Sequence, residues 1–227
     1  IYEIQHKNID FNHFNCIILG ATNSTMTGDL YVLAYTFTPE FCYGNDYPGC
    51  AKPLPFWKNH FTLHGLWPQY SAGGYPQTCT TEAYDVNSAK NVGMETMIQY
   101  WPDVQYAYDD PEYDQFWEHE WSKHGTCSGL SQDDYFQTAI NMIKSFGTPQ
   151  SFIDAAGSTG TIDAATLRND MGGASYVSLQ CLSGKYIDGA YTCWKEENGV
   201  PTTQTECPSD VQQEDTCTST TLTIQSI

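Results

Sequence analysis

Nine cysteines are spread through this chain of 227 residues, and no two of them form a CxxC pair. A cytosolic protein rarely carries so many thiols without a metal to bind them, so the pattern indicates an oxidising compartment in which disulfides form. The fold must therefore bring distant cysteines into contact. We expect a secreted protein or one of an endomembrane lumen, such as a lysosome or a vacuole.

Two other sequence features agree with that route. Asn23, Ser24 and Thr25 form an acceptor triplet for N-glycosylation, although such triplets also occur by chance. No signal peptide is visible at Ile1, and the longest apolar run, near Cys16, is far too short to cross a bilayer. We expect a processed, soluble glycoprotein without membrane insertion.

The chain is strongly acidic, with 9 lysines and arginines against 27 acidic residues and a formal charge of −18. This charge should repel nucleic acid at neutral pH, so any polyanion must be held by a local group of residues. Six histidines gain charge near pH 5 while some carboxylates lose it, which suits an acidic lumen or medium. The acidity is explained equally well as a solubility device for a secreted protein.

Hydrophobic periodicity predicts one α+β domain over residues 1–227, in which a central antiparallel sheet packs against several helices. Helices are expected over residues 86–100, 115–124, 131–146 and 164–169. Strands are expected over residues 30–37, 176–182, 186–194 and 222–227, and around Phe61 and Leu63. In the last of these, His60 and His64 would lie on the face opposite the core.

Two segments concentrate histidine among aromatic residues: FTLHGLWP at 61–68 and WEHEWSKHGTC at 117–127. On a helix of 100° per residue, four polar side chains of the second segment share one face. These side chains are His119, Glu120, Lys123 and His124. Phe116, Trp117 and Trp121 would place aromatic surface beside them, where limited water access shifts the pKa of an imidazole.

A pair of histidines suits the cleavage of RNA. One imidazole can take the proton of the ribose 2′-hydroxyl while the other protonates the leaving 5′-oxygen, and each transfer is worth roughly 10² to 10⁴ in rate. A nearby ammonium and a further imidazole can stabilise the charge that builds on the phosphorane oxygens. Lys123 and His119 are the candidates for that role.

The segments HGLWP and HEWxKHGTC together resemble the two active-site boxes of the ribonuclease T2 family, which comprises acid, transferase-type endoribonucleases. Tyr100, Trp101 and Pro102 are similar to the YWP element of that family. The resemblance implies that His64 is the general acid and His124 the general base. His119 would hold the phosphate, and Glu120 and Lys123 would stabilise the transition state.

The same resemblance implies single-stranded RNA as the substrate, a 2′,3′-cyclic phosphate product and low base specificity. It also implies an acid pH optimum, no metal, no other cofactor and no action on DNA. Trp67 and Tyr75 would sandwich the base on the 5′ side of the cut, where stacking tolerates any base. Gln69 departs from the Asp or Asn that usually follows WP, and Thr36 with Phe37 replaces Gln and Trp, so base preference stays open.

Eight cysteines allow 105 pairings, and the sequence alone does not choose among them. The family pattern implies the pairs Cys42–Cys50, Cys79–Cys127, Cys181–Cys217 and Cys193–Cys207. Cys16 is left over, and its apolar neighbours favour a buried, inert free thiol over an intermolecular bridge. We expect a monomer.

Other chemistries fit less well. His119 and His124 are five residues apart, whereas the helix of a zinc metalloprotease needs a spacing of four. A serine hydrolase would need a GxSxG turn, which the chain lacks. The main alternative is a catalytically idle relative with the ribonuclease fold that serves in storage, binding or signalling. Such relatives usually lose a catalytic histidine, and this chain keeps His64, His119 and His124.

Overall fold

The computed structural model describes residues 27–227. Cys16 and Asn23, the expected thiol and glycosylation acceptor, lie outside the described residues. The strands are β1 (Leu30–Thr36), β2 (Thr62–Gln69), β3 (Thr161–Asp163), β4 (Val177–Leu182), β5 (Tyr186–Glu197), β6 (Val200–Thr205) and β7 (Thr221–Thr223). The helices are α1 (Thr38–Cys42), α2 (Val86–Val92), α3 (Met94–Tyr100), α4 (Gln115–Lys123), α5 (Gln132–Phe146), α6 (Gln150–Ala156), α7 (Ala164–Asp170) and α8 (Ser209–Gln213).

The strands form one sheet in the order β2-β1-β5-β7-β3, and β4 and β6 also pair with β5. All pairings are antiparallel except the contact between β5 and β7, which is parallel and consists of Tyr186 beside Thr223. β1 lies inside the sheet, between β2 and β5; its sequence, LYVLAYT, is rich in aromatic and β-branched side chains, and six of its seven residues are buried. The fold is therefore α+β, as the sequence predicts.

The helices cover this sheet, and α5 shows why they form where they do. The Ser131 side chain accepts a hydrogen bond from the Asp134 amide, which satisfies a free N–H of the first turn. Phe136, Ala139, Ile140 and Ile143 form the buried stripe that the periodicity of residues 131–146 predicts. No helix among residues 27–227 is long and apolar enough to cross a membrane.

Several sequence-based boundaries are wrong, including the end of β5, which is Glu197 and not residue 194. The single helix expected over 86–100 is two helices, because Gly93 takes a φ of +108° that ends α2 and starts α3. The strand expected over 222–227 stops at Thr223, where the Ile224 amide turns to the Gly160 carbonyl. The strand β2 begins at Thr62, so His60 lies before it and stacks on Phe56 at 4.2 Å between ring centroids.

Large aromatic side chains fill the core between the sheet and the helices. Trp101, Trp117 and Trp121 are at most 1% exposed. Trp101 packs against Phe136 of α5, Trp121 packs against Tyr135 of α5, and Trp117 packs against Tyr113. One side of α4 is therefore fixed in the interior, and its other side faces β2.

Four disulfides cross-link the structure, and they join the pairs that the family resemblance implies. Cys79–Cys127 matters most for the site because it ties the segment after β2 to a 3₁₀ turn, Gly125–Cys127, that follows α4. The Thr78 amide also donates to the Lys123 carbonyl at 2.9 Å. The end of α4 is thereby fixed against the chain that follows β2.

We expect replacement of both Cys79 and Cys127 by Ala to lower the free energy of unfolding by about 4 kcal/mol, because this bond closes a long loop. Replacement of Cys42 and Cys50 is the matched control and should cost about 2.5 kcal/mol. The sequence separations are 48 and 8 residues. Urea unfolding at one pH measures both values, and an equal or reversed order would contradict the expectation.

Candidate active site

The two histidine segments meet at one place between β2 and α4. The Trp67 indole N–H donates a hydrogen bond to Glu120 Oε2 at 2.7 Å. The other oxygen, Glu120 Oε1, lies 3.8 Å from His64 Nε2. The His124 ring stacks on Trp67 with 5.0 Å between centroids and 23° between planes. Trp67 and Glu120 are 53 positions apart in sequence, and their contact brings two imidazoles around one tryptophan and one carboxyl group.

A β-bulge sets the direction of His64. Ala34 of β1 pairs with Gly65, and the next residue, Tyr35, pairs with Leu63, so His64 is the extra residue that the bulge inserts into β2. Strict alternation would put His64 and Trp67 on opposite faces of the strand. Because a bulge shifts that alternation by one residue, the two rings lie on the same side, 5.2 Å apart and edge to face.

Gly65 is required by the close approach of β2 to α4. A Cβ atom at this position would collide with the Glu120 carboxylate and with the Trp67 indole. The glycine of the HGLWP segment therefore leaves the space in which the hydrogen bond between Trp67 and Glu120 forms.

On the helix side, Glu120 is buried against β2 with 1% of its surface exposed. Phe116 lies one turn earlier and contacts the His64 ring edge to face at 5.3 Å. His119 is exposed and Lys123 is half-buried. The structure thus brings Glu120 to the cleft and leaves His119 and Lys123 toward solvent.

The structure differs from the helical wheel at His124. This residue is the C-cap of α4, with φ −113° and ψ −49°, and not a further residue of the helix. Its amide still donates to the Glu120 carbonyl at 3.0 Å, while the chain turns at Gly125, where a Cβ would collide with the Trp121 ring. The turn buries His124 to 4% exposure and brings its ring against Trp67.

Burial shifts the pKa of His64, His124, Glu120 and His119 in the direction that favours the neutral form of each group. Desolvation, with the nearby charges of His119 and Lys123, lowers the pKa of His64 to about 4. Desolvation, then Lys123 and the other two imidazoles, lowers the pKa of His124 well below its ordinary value. Desolvation raises the pKa of Glu120 to about 8, against the opposing effects of the Trp67 hydrogen bond and Lys123. Desolvation and Lys123 also lower the pKa of His119.

A cavity of about 120 Å³ opens beside His64. Its lining includes the threonines Thr36, Thr38 and Thr62, the Phe116 ring and the Asp188 carboxyl group. Thr36 Oγ1 lies 3.3 Å from His64 Nδ1 and holds the imidazole from the side away from Glu120. Sequence reasoning marked Thr36 only as a departure from the family and missed Asp188, which the pairing of β5 with β1 brings to the cavity.

The predicted base-binding residues lie on the other side of the site. Tyr75 is 44% exposed, and its ring centroid lies 6.1 Å from that of His124. Trp67 is half-buried between His124 and Tyr191. Gln69 is buried, and its amide donates to Asp210 at 3.1 Å. Trp67 and Tyr75 both border His124, and Gln69 faces α8. Their part in base binding stays a prediction.

Metal-binding residues do not gather in this cleft. Within residues 27–227, no group of three or more His, Cys, Asp or Glu side chains is arranged to hold a metal ion. The cleft contains two imidazoles and one buried carboxyl group, with His119 and Lys123 at its solvent side.

Curated relatives match parts of the chain. Intracellular ribonuclease LX of Solanum lycopersicum is 42% identical over 95 residues, which is 42% of this chain and 38% of that protein. A ribonuclease-like storage protein of Panax ginseng is 46% identical over 130 residues, or 56% of this chain and 51% of that protein. The chain thus matches about half or less of the length of these relatives.

Solved structures show the same fold. Ribonuclease MC1 from the seeds of bitter gourd superposes with a TM-score of 0.66 at 24% identity, covering 86% of this chain and 100% of that chain. Mutants of that ribonuclease have been solved in complex with 5′-GMP and with 5′-UMP. The sequence model of the ribonuclease T2 family matches residues 28–207 and so includes both histidine segments. The chain therefore belongs to the ribonuclease T2 family.

Proposed function

We propose that the protein is an endoribonuclease that cleaves single-stranded RNA by metal-independent general acid–base transphosphorylation. One observation carries the proposal: His64 and His124 both contact Trp67, the first with the two rings nearly perpendicular and the second with the two rings stacked. Two imidazoles that contact the same indole ring can reach opposite ends of a single ribose–phosphate linkage. The family and the nucleotide complexes of its solved members support RNA as the substrate.

In the proposed first step, the neutral His124 takes the proton of the 2′-hydroxyl. The 2′-oxygen attacks the phosphorus, the bond from phosphorus to the 5′-oxygen breaks, and the protonated His64 gives its proton to that leaving oxygen. The products are a 2′,3′-cyclic phosphate and a free 5′-hydroxyl. Slow hydrolysis of the cyclic phosphate uses the same groups in exchanged roles.

The remaining groups would bind and stabilise the phosphate. His119 and Lys123 lie on the solvent side of α4 and supply local positive charge in a chain of net charge −18. This is the local binding that so acidic a protein needs for a polyanion. Burial raises the pKa of Glu120 to about 8, so at acid pH it can donate a hydrogen bond to a phosphorane oxygen as a carboxylic acid.

Trp67, Gln69 and Tyr75 are the proposed base-binding residues on the 5′ side of the cut. Stacking on Trp67 and Tyr75 would give low base specificity. We also propose that the protein acts as a monomer in an acidic compartment, either outside the cell or in a lysosome or vacuole. Four disulfides support an oxidising environment.

A catalytically idle storage, binding or signalling protein is the second candidate. The observation that favours it is the similarity to the ginseng ribonuclease-like storage protein. Against it, His64 and His124 remain in a cleft together with Glu120, and burial of such groups without a reactive role costs free energy. We therefore favour the enzyme.

Replacement of His64 or His124 by Ala should lower kcat/KM for RNA roughly 100-fold or more, because each removes one proton transfer. His119→Ala should raise KM as well as lower kcat. His60→Ala is the control, since His60 stacks on Phe56 before β2 begins. Near-UV circular dichroism checks the fold, and retention of more than about a tenth of the activity would contradict the assigned roles.

Glu120→Gln should lower activity less than the loss of either histidine, because a neutral carboxyl and an amide are similar in shape.

The stability of the Glu120→Gln variant should depend less on pH than that of wild type. The raised pKa of Glu120 in the folded state stabilises wild type fully below about pH 4.5, and this stabilisation is lost as the pH rises through about 8. Over that pH range, the free energy of unfolding of the variant should rise relative to that of wild type by up to about 5 kcal/mol. Parallel curves of the free energy of unfolding against pH for wild type and variant would contradict the burial of a neutral carboxyl group at Glu120.

The pH dependence of kcat/KM should peak below pH 6. This follows because His64 must carry a proton and its pKa lies near 4, while His124 must be neutral and its pKa is also lowered. EDTA should leave the rate unchanged, DNA should not be cut, and the product should end in a cyclic phosphate. A rate that rises toward pH 8, or loss of activity in EDTA, would refute the mechanism.

A further inference from the structure

A second cavity, here called the reverse-face cavity, lies on the face of the sheet opposite the active site. Side chains alternate between the two faces of a strand, so Thr192 and Trp194 of β5 lie on one face and Tyr191 and Cys193 on the other. Tyr191 packs against Trp67 of the active site, whereas Thr192 and Trp194 line the reverse-face cavity. This cavity of about 380 Å³ is therefore separate from the cleft that holds the two imidazoles.

One wall of the reverse-face cavity is the Phe146 ring at the end of α5. This ring is 49% exposed, and Trp194 packs against it with 4.3 Å between ring centroids and 43° between planes. The Tyr35 hydroxyl donates a hydrogen bond to the Phe146 carbonyl at 2.9 Å, and the Trp194 indole N–H donates to Thr192 Oγ1 at 2.9 Å. Because these contacts fix both rings in advance, a ligand that binds on the exposed ring pays little conformational entropy.

The polar part of the lining is also held in place. Gln204 Nε2 donates to the Met171 carbonyl at 2.7 Å, which leaves the amide oxygen as an acceptor. Asp170 Oδ2 accepts a hydrogen bond from the Ser151 hydroxyl at 2.5 Å. Asn169 precedes Asp170 at the end of α7 and also lines the cavity. The reverse-face cavity thus offers a carboxylate, which accepts hydrogen bonds, and amides, which both donate and accept.

Charge and size limit the kind of ligand. Among the described residues, no lysine or arginine lines the reverse-face cavity, and Asp170 brings a carboxylate to it. In a chain of net charge −18, such a site repels phosphate groups and nucleotides. The volume is that of about a dozen water molecules, which accommodates one hexose ring with its hydroxyl groups.

A neutral hexopyranose matches both parts of the lining. Its hydroxyl groups donate and accept hydrogen bonds, so neighbouring hydroxyls pair with the Asp170 carboxylate and with the amides of Asn169 and Gln204. The C–H groups on one face of the sugar ring are weakly positive, and they pack on the negative face of an aromatic ring such as Phe146. A quaternary ammonium would suit the carboxylate and the ring, but it would leave both amides without partners.

We propose that the reverse-face cavity is a binding site for a neutral hexopyranose. Phe146 supplies the stacking surface, and Asp170, Asn169 and Gln204 bind the hydroxyl groups. The inference goes beyond the proposed ribonuclease function and does not depend on it.

The test measures binding of three methyl glycosides, those of β-D-glucose, β-D-galactose and α-D-mannose, by saturation-transfer NMR at pH 7. Wild type should bind at least one of them with a Kd of about 1 mM, because a single sugar ring makes few contacts. The 6-phosphate of the hexose that binds should show a Kd about fivefold higher or more, since the cavity lacks a cation and contains a carboxylate.

Variants of the lining identify the cavity as the binding site. Phe146→Ala should raise the Kd at least about fivefold, and Phe146→Leu should do the same because it keeps an apolar side chain but loses the flat ring. Asp170→Asn should also raise the Kd, since an amide has one acceptor oxygen where the carboxylate has two. Leu182→Ala is the matched control: it removes an apolar side chain of similar exposure, 52%, from β4 and should leave the Kd unchanged.

Thermal unfolding checks that each variant folds, and Phe146→Leu serves if Phe146→Ala does not. Failure of all three glycosides to bind wild type at roughly ten times the expected Kd would overturn the inference. So would binding that the folded Phe146 variants leave unchanged, or tighter binding of the 6-phosphate. None of these outcomes bears on RNA cleavage, which is assigned to the other face of the sheet.

Discussion

The hydrogen bond from the Trp67 indole to Glu120 is the contact on which the rest of the site depends. Glu120 is 1% exposed, and a buried carboxyl without a donor would cost free energy, so this bond fixes where β2 and α4 meet. Gly65 leaves room for it. Once it forms, one oxygen of Glu120 faces His64 and the Trp67 face receives His124. The distance between the two imidazoles is therefore set by a group that neither gains nor loses a proton in the proposed reaction.

Elements determined by local sequence are predictable from the chain. The helix α5 begins at its serine cap and buries the expected stripe, and α4 ends within one residue of the expected position. The break at Gly93 is missed because one glycine inside a helical pattern is compatible with a continuous helix or with a turn. A positive φ at that residue decides the outcome, and the sequence alone does not state it.

The site itself is predictable in composition but not in geometry. Both histidine segments are visible in the sequence, yet the side to which His64 points depends on a bulge set by the register of β2 against β1. The Asp188 carboxyl reaches the cavity only because β5 pairs with β1, a strand far away in sequence. Hydrophobic alternation within one strand carries no information about either pairing.

Desolvation is the common cause of the unusual electrostatics in the cleft. It favours neutral His64, neutral His124 and protonated Glu120, so these three groups carry little charge at mildly acid pH. A bound phosphodiester brings a negative charge next to His64, and an opposite charge within a few ångströms favours the protonated imidazole. His124, stacked on Trp67, lies on the ribose side of that charge in the proposed pose. In this view, the bound phosphate is what makes His64 the acid and leaves His124 as the base. The difference depends on the phosphate because burial favours the neutral form of both rings.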